Sequence, residues 1–244
     1  QLPTPEELSI LEPIRDQLPA EVFSQVYRAP SSNGSGNIRT QIRQGMRLLK
    51  QAGWEVKKGK LVNARGEPFK FELLLVQKEF ERIVAPMLNN LEKMGIEAHI
   101  RIVDVSQYIN RMRSFDFDMM VYSYGQSNSP GNEQREFWHS SMANIEGSRN
   151  LIGVNNPAVD YLIEQVIAAP DREQLVLRTR ALDRVLQWNH YLIPQFHISS
   201  YRVAYWDKLA MPAIRPQYSL GFDSWWLKAA ETPHSNANKG NASH

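Results

Sequence analysis

The sequence predicts an α/β fold: a central mixed sheet with a parallel core, flanked by helices. Apolar strand-like runs occur near 69–76, 96–103 and 115–121, the last expected to extend the strand over 117–123. Between them the apolar residues follow helical rather than alternating spacing. A β-α-β-α-β order needs crossover connections, and strands joined through helices pair in parallel.

The elements follow in order. Thr4, Pro5 and Glu7 form a capping-box pattern, with Pro5 in the first helical position. A helix starting so close to residue 1 leaves no room for a leader, so a fragment or a processed chain is expected. APSSNGSGN, 29–37, reads as a linker. Over 38–52, Ile38, Ile42, Met46, Leu48, Leu49 and Ala52 gather near one helical face, and Gly53 follows as a stop. VKKGKLVNARGEPFKFELLLV carries two glycine turns and ends in the first core strand, 69–76. Phe80, Ile83, Val84, Met87, Leu88, Leu91 and Met94 form the stripe of a helix over 79–94. Pro86 inside it should kink it or mark its true start. Gly95 ends it, and IEAHIRIV alternates as the second core strand. Residues 106–114 read as helix, followed by FDFDMMV.

The remainder is mostly helical. Asn156 and Pro157 open a helix through Ala168, and Asp171 caps another bearing Leu175, Leu177, Leu182, Val185 and Leu186. YLIPQFHI, 191–198, reads as a strand that Pro194 confines to an edge or bulge. Trp225 and Trp226 lie beyond another expected strand pair, and 229–244 has the composition of a disordered tail. No internal repeat is visible.

Composition narrows the function. Of 244 residues, 42% are apolar and 22% charged, enough for one or two globular domains. A net charge of +2, with acidic residues interspersed, gives no reason to expect nucleic acid as a partner. The absence of cysteine excludes disulfides and thiolate metal sites. His99, His139, His190, His197, His234 and His244 have no tight ligand spacing, so neither a metal nor a cofactor is expected. The sequence has no G-x-S-x-G, P-loop, H-E-x-x-H or G-x-G-x-x-G motif. The enzymatic alternative is a hydrolytic or transferase domain using the carboxylates Asp116 and Asp118, which alternate on one strand face. Both fall at the start of that strand, away from the end where chemistry belongs.

YSYGQSNSPGNEQREFWHS, 122–140, is the informative segment. It leaves the carboxyl end of a core strand, where open α/β sheets present backbone groups and loops to ligands. A loop longer than about 12–15 residues is usually functional or disordered, and the aromatic residues Tyr122, Tyr124, Phe137 and Trp138 argue against disorder.

The order LLKQAGW (48–54), FKFELLLV (69–76), DFDMMVYSYGQSNSPGNEQREFW (116–138), NNPAVDYLIEQ (155–165) and YLIPQFHIS (191–199) resembles the family 5 solute-binding proteins of ABC importers. These are the oligopeptide- and dipeptide-binding type, and QSNSPGNEQREFW resembles their YejA-like branch. The resemblance runs from about residue 1 to 228 and covers only the carboxyl-terminal part of such a protein. It implies a lobe of the periplasmic-binding-protein type II-like fold, paired in the whole protein with an N-terminal lobe not contained in this sequence. It also implies a periplasmic receptor of a Gram-negative bacterium that traps a peptide or peptide-like ligand between lobes and delivers it to a membrane permease. Four segments are expected: a leading helix and linker near the hinge (1–37), the ligand-binding lobe (38–200), a segment returning toward the other lobe (201–228), and the tail (229–244).

The resemblance also implies the site. The expected ligand wall comprises Tyr124, Gly125, Gln126, Ser127 and Asn128, together with Asn132, Glu133 and Arg135. Tyr124 falls where many members have tryptophan, and is expected as an aromatic wall exposed in the open cleft. Ser127 falls where many have an aspartate that pairs with the peptide's α-amine. A serine cannot make that charge-assisted bond, so the amino end would be held elsewhere, for instance by Glu133, or the ligand would lack a free amine. Glu133 and Arg135 have a second reading as an ion-pair set stabilising the loop. Trp138 reads better as a loop anchor in the core than as a ligand-stacking ring.

Overall fold

A computed structural model describes residues 1–195, 200–217 and 219–229. It divides into two compact units, Gln1–Ile193 and Pro194–His244.

In the first unit, helix α1 (Pro5–Leu11) starts with the expected capping box. The Glu7 N–H donates to the Thr4 hydroxyl at 3.2 Å, and the Thr4 N–H donates to the Glu7 carboxylate at 3.1 Å. A 3-10 turn (Glu12–Gln17) and a short helix, α2 (Glu21–Ser24), follow. Helix α3 (Arg39–Gln51) forms as expected, but no residue on it is buried, and Leu48 is 53% exposed. Strands β1 (Glu55–Lys57) and β2 (Lys60–Val62), which the glycine turns only hinted at, make an antiparallel ribbon.

The core sheet is β3 (Lys70–Leu75), β4 (Glu97–Ile102) and β5 (Met119–Met120), in the order β4-β3-β5 and parallel throughout. Among the described residues, antiparallel pairing is confined to the two-stranded ribbons and a bridge between Val62 and Pro68. Helix α4 (Glu81–Glu92) joins β3 to β4, and α5 (Val105–Arg113) joins β4 to β5. Leu73, Leu74 and Leu75 are all buried, as a strand covered on both faces requires. Leu73, Leu75 and Val84 form one cluster with Phe80, Met87, Leu88, Ile100, Met119 and Val121 around them. Pro86 lies inside α4, past its first turn, so the helix does not start there. Gly95 sits at φ +82°, and a Cβ there would lie 2.7 Å from the Leu61 nitrogen. Only glycine fits this close approach, across which the Leu61 N–H donates to the Gly95 carbonyl at 2.8 Å.

The larger core is helical. Helices α6 (Glu133–Trp138), α7 (Pro157–Ile167) and α8 (Arg172–Trp188) bury Phe137, Trp138, Leu162, Ile163, Val166, Leu182 and Val185 together. Asn156 and Asp171 cap α7 and α8 as expected, accepting from the Ala158 and Gln174 N–H groups. Ile10, Leu11, Ile14 and Val22 enter the same core, so the leading segment packs as part of this unit. Glu7 is fully buried there, 3.1 Å from the Arg184 guanidinium.

In the second unit, β6 (Leu209–Ala210) pairs antiparallel with β7 (Trp226–Leu227), so Trp226 lies within the strand pair rather than beyond it. Trp225 packs on Tyr205 and Phe222. The strand expected over 191–198 is not formed at 191–195, and 196–199 lie outside the described residues, as do 230–244 of the expected tail.

Candidate functional site

Strand β5 forms one edge of the core sheet, and the chain leaves its carboxyl end as the 122–132 loop. The sheet order places β5 beside β3, while the connection after β3 leads to the opposite side. That divergence is where open α/β sheets leave a crevice. The Tyr108 hydroxyl on α5 donates to the Val121 carbonyl at 2.8 Å and pins the point of departure. Beyond it, among the described residues, the main-chain N–H groups of 122–127 have no hydrogen-bond partner, and most of this segment is exposed.

Tyr124 is not the free aromatic wall that was expected. Its ring packs 5.4 Å from Phe137 and 4.6 Å from Trp138, at the edge of the helical core. Burial pushes its hydroxyl up to about 12, helped by the Tyr122 charge and opposed by Arg149. A side chain with a large apolar ring beside buried Phe137 and Trp138 fills the core margin before it faces water. The more exposed ring is Tyr122, edge-on to Tyr124 at 4.9 Å. Sequence reasoning noted Tyr122 but did not select it. Strand alternation offers no signal to separate them, since 122 and 124 have the same parity in the chain and only packing distinguishes the two rings.

The other loop residues divide by partner. Gly125 has open space around it. The Ser127 hydroxyl accepts from the Ser129 N–H at 3.1 Å, forming a local turn. The Asn128 carbonyl accepts from Arg172 at the start of α8. Arg135 grips Glu164 of α7 with two hydrogen bonds, at 2.7 and 2.5 Å, and a third goes to Asn132. The Arg135 hydrogen bonds hold the Glu164 carboxyl below its ordinary value against burial. Glu133 accepts from the Gly131 N–H at 2.8 Å and from Gln134 at 3.3 Å. Burial pushes its pKa up, but these hydrogen bonds and its own N–H outweigh it and hold the carboxyl below its ordinary value. The ion-pair reading thus has a geometric basis for Arg135, whose partner is Glu164 rather than Glu133. Trp138 is buried, as an anchor should be, and its indole N–H donates to Gln134 at 3.2 Å.

The carboxylates of the enzymatic alternative are engaged elsewhere. Asp118 accepts from the Glu72 N–H at 2.9 Å, and Asp116 pairs with Arg111 at 2.9 Å. Arg101 and Arg111 flank Glu72. The hydrogen bond from Arg101 lowers its pKa against burial, with Arg111 reinforcing. This network ties the amino ends of β3 and β5 together, at the opposite end of the strands from the loop. Among the described residues no group of three or more His, Asp or Glu side chains is placed to hold a metal ion. A cavity of about 240 Å³ is lined by Glu7, Tyr27, Arg180, Asp183, Arg184 and Gln187, and no loop residue reaches it. No helix of the described residues is long and apolar enough to cross a membrane.

The fold is a mixed α/β unit with a parallel core sheet and flanking helices. The description of the bacterial extracellular solute-binding proteins, family 5 Middle, matches residues 16–144, and the chain belongs to that family. It is 46% identical over 227 residues to the probable peptide-binding protein YejA of Agrobacterium fabrum, covering 92% of this chain and 37% of that protein. It is 42% identical over 239 residues to YejA of Escherichia coli, covering 96% of this chain and 39% of that protein. The chain therefore spans little more than a third of these relatives. Among solved structures it is similar to the oligopeptide-binding protein AppA of Bacillus subtilis in complex with a nonapeptide. There the TM-score is 0.61 and the identity 22%, over 92% of this chain and 45% of the other. These relatives belong to a binding family, not an enzyme family.

Proposed function

We propose that the chain is the carboxyl-terminal portion of a solute-binding receptor that takes up peptides or peptide-like molecules, with residues 124–128 and 132–135 as this lobe's share of the ligand wall. One observation carries the reading: among the described residues, the mostly exposed segment 122–127 leaves an edge strand with its main-chain N–H groups unpaired. Such a segment suits an extended peptide, which adds to it through main-chain hydrogen bonds and so tolerates varied side chains. The name of the Agrobacterium fabrum relative, a probable peptide-binding protein, and the nonapeptide held by AppA support peptides as the ligand class. The receptor acts without catalysis. It closes on its ligand with a second lobe, in the periplasm of a Gram-negative bacterium, and hands it to an ABC permease. Ser127 offers no charge to an α-amine, so ligands with a blocked amino end are accepted as readily as free ones.

Hydrogen exchange with and without a millimolar peptide pool tests this. Amides of 122–127 should slow when peptide is added, weakly in this chain and strongly in a receptor of its relatives' full length, where lobe closure excludes water. No slowing in the longer receptor would refute the peptide assignment.

A further inference from the structure

Gln134 is almost fully buried on α6, at 4% exposure, between the core and the loop. Its carbonyl oxygen accepts from the Trp138 indole N–H at 3.2 Å. An indole nitrogen only donates, so the atom facing Trp138 must be the oxygen. The NH2 group of Gln134 must then point the other way. It donates to the Gln126 side-chain oxygen at 2.8 Å and to Glu133 at 3.3 Å. Glu133 is an ionised acceptor and agrees with that orientation. The orientation passes one residue further: with its oxygen turned inward, the amide of Gln126 turns its NH2 outward, on an exposed stretch of the loop.

We infer that Gln134 is a positioning residue that fixes the Gln126 amide so that the loop offers its ligand a hydrogen-bond donor there. The inference rests on residues 124–128 being the ligand wall. The group it selects is an acceptor, such as a peptide carbonyl. A buried amide locked by a donor-only partner determines polarity that a free surface glutamine would leave open.

Two variants test it. Gln134→Glu, read above the pH at which the new carboxyl loses its proton beside Glu133, keeps the acceptor for Trp138 but has nothing to donate to Gln126, whose NH2 should turn inward to the carboxylate. Gln126→Glu lies on the exposed side, keeps an acceptor for Gln134 and has nothing to donate to a ligand. The readouts are the side-chain NH2 exchange of Gln126 by NMR and the affinity for trialanine and its two monothioamides, in which one carbonyl is a weaker acceptor. Without ligand, Gln126 NH2 should exchange freely in the parent chain and become protected in Gln134→Glu. The Trp138 indole signal should stay in place in both variants. With ligand, one thioamide should bind about three- to tenfold more weakly than trialanine to the parent, the range of one neutral hydrogen bond. Both variants should bring that ratio within about twofold, since neither leaves a donor for the carbonyl. Gln126 NH2 exchange unmoved by Gln134→Glu would overturn the positioning role. The expected exchange change with no thioamide discrimination in the parent would instead overturn the ligand wall, and the donor assignment with it.

Discussion

Arg135 and Glu164 face each other side-on, with Nε and Nη2 of the guanidinium on the two carboxylate oxygens at 2.7 and 2.5 Å. They stand 29 residues apart in the chain and join α6 to α7. The loop that starts at β5 is therefore tied down at its far end by a planar, bidentate contact, the geometry in which arginine exceeds lysine.

That contact is half-exposed, so its effect on stability should be small. Arg135→Ala and Glu164→Ala should each lower the unfolding midpoint in urea slightly, and the double variant should lose less than the sum. Additive losses would mean that the pair does not couple. If Arg135 serves the fold rather than the ligand, peptide selectivity should survive Arg135→Lys even where affinity falls.

The pair of Glu7 and Arg184 is a different case. Glu7 is fully buried and also serves the capping box, and the Arg184 side chain is 11% exposed. Arg184→Met strands a buried carboxylate and should cost about 3–5 kcal/mol in urea unfolding. Combining it with Glu7→Gln should recover much of that loss, because the stranded charge is gone while Thr4 keeps an acceptor. A double variant as unstable as Arg184→Met alone would show that packing, not charge, is lost.

These two ion pairs also mark what sequence could reveal. The capping of α1, α7 and α8 was legible because each cap is settled within three residues of chain. The parallel core was legible because period and order belong to the strands themselves. Arg135's partner was not, since nothing local distinguishes Glu164 from other carboxylates. Nor was the weak burial of α3, because an apolar stripe reports the face a helix would bury, not what lies against it. The packing of Tyr124 was hidden for the same reason: the resemblance marked its position at the strand end, but only the fold brings Phe137 and Trp138 beneath it.

Burial of Tyr124 has a consequence for pH. Its hydroxyl titrates near 12 in the folded chain, against an ordinary value of 10.0. The folded state thus holds this proton more tightly than the unfolded state. The associated stability is fully present below the ordinary value and is lost as pH rises toward 12. Tyrosinate absorbance of the parent minus that of Tyr124→Phe should show one component near 12. The pH-dependent loss of stability between 10 and 12 should shrink in the variant. A difference component centred near 10 would put Tyr124 in water.

Tyr122 and Tyr124 give the sharpest test, because two adjacent rings of one loop have opposite assignments. Tyr124 lies against Phe137 and Trp138, whereas Tyr122 is 38% exposed and touches it from outside. Tyr124→Ala should open space at the core margin and cost about 2–4 kcal/mol of stability, somewhat less than a fully buried aromatic. Binding should fall with it, because the loop loses its footing. Tyr122→Ala should leave the unfolding midpoint nearly unchanged, since a partly exposed ring contributes little burial. If the segment beyond β5 is the ligand wall, that substitution should still weaken peptide binding by about 1–3 kcal/mol, the range for an aromatic contact at the centre of an interface. Urea unfolding and calorimetry on the same two variants separate the roles. Stability lost through Tyr122 and spared through Tyr124 would invert the packing. Unchanged peptide affinity in Tyr122→Ala would take the exposed ring out of the ligand's path and leave the main chain of 122–127 and the Gln126 side chain as the contacts proposed there.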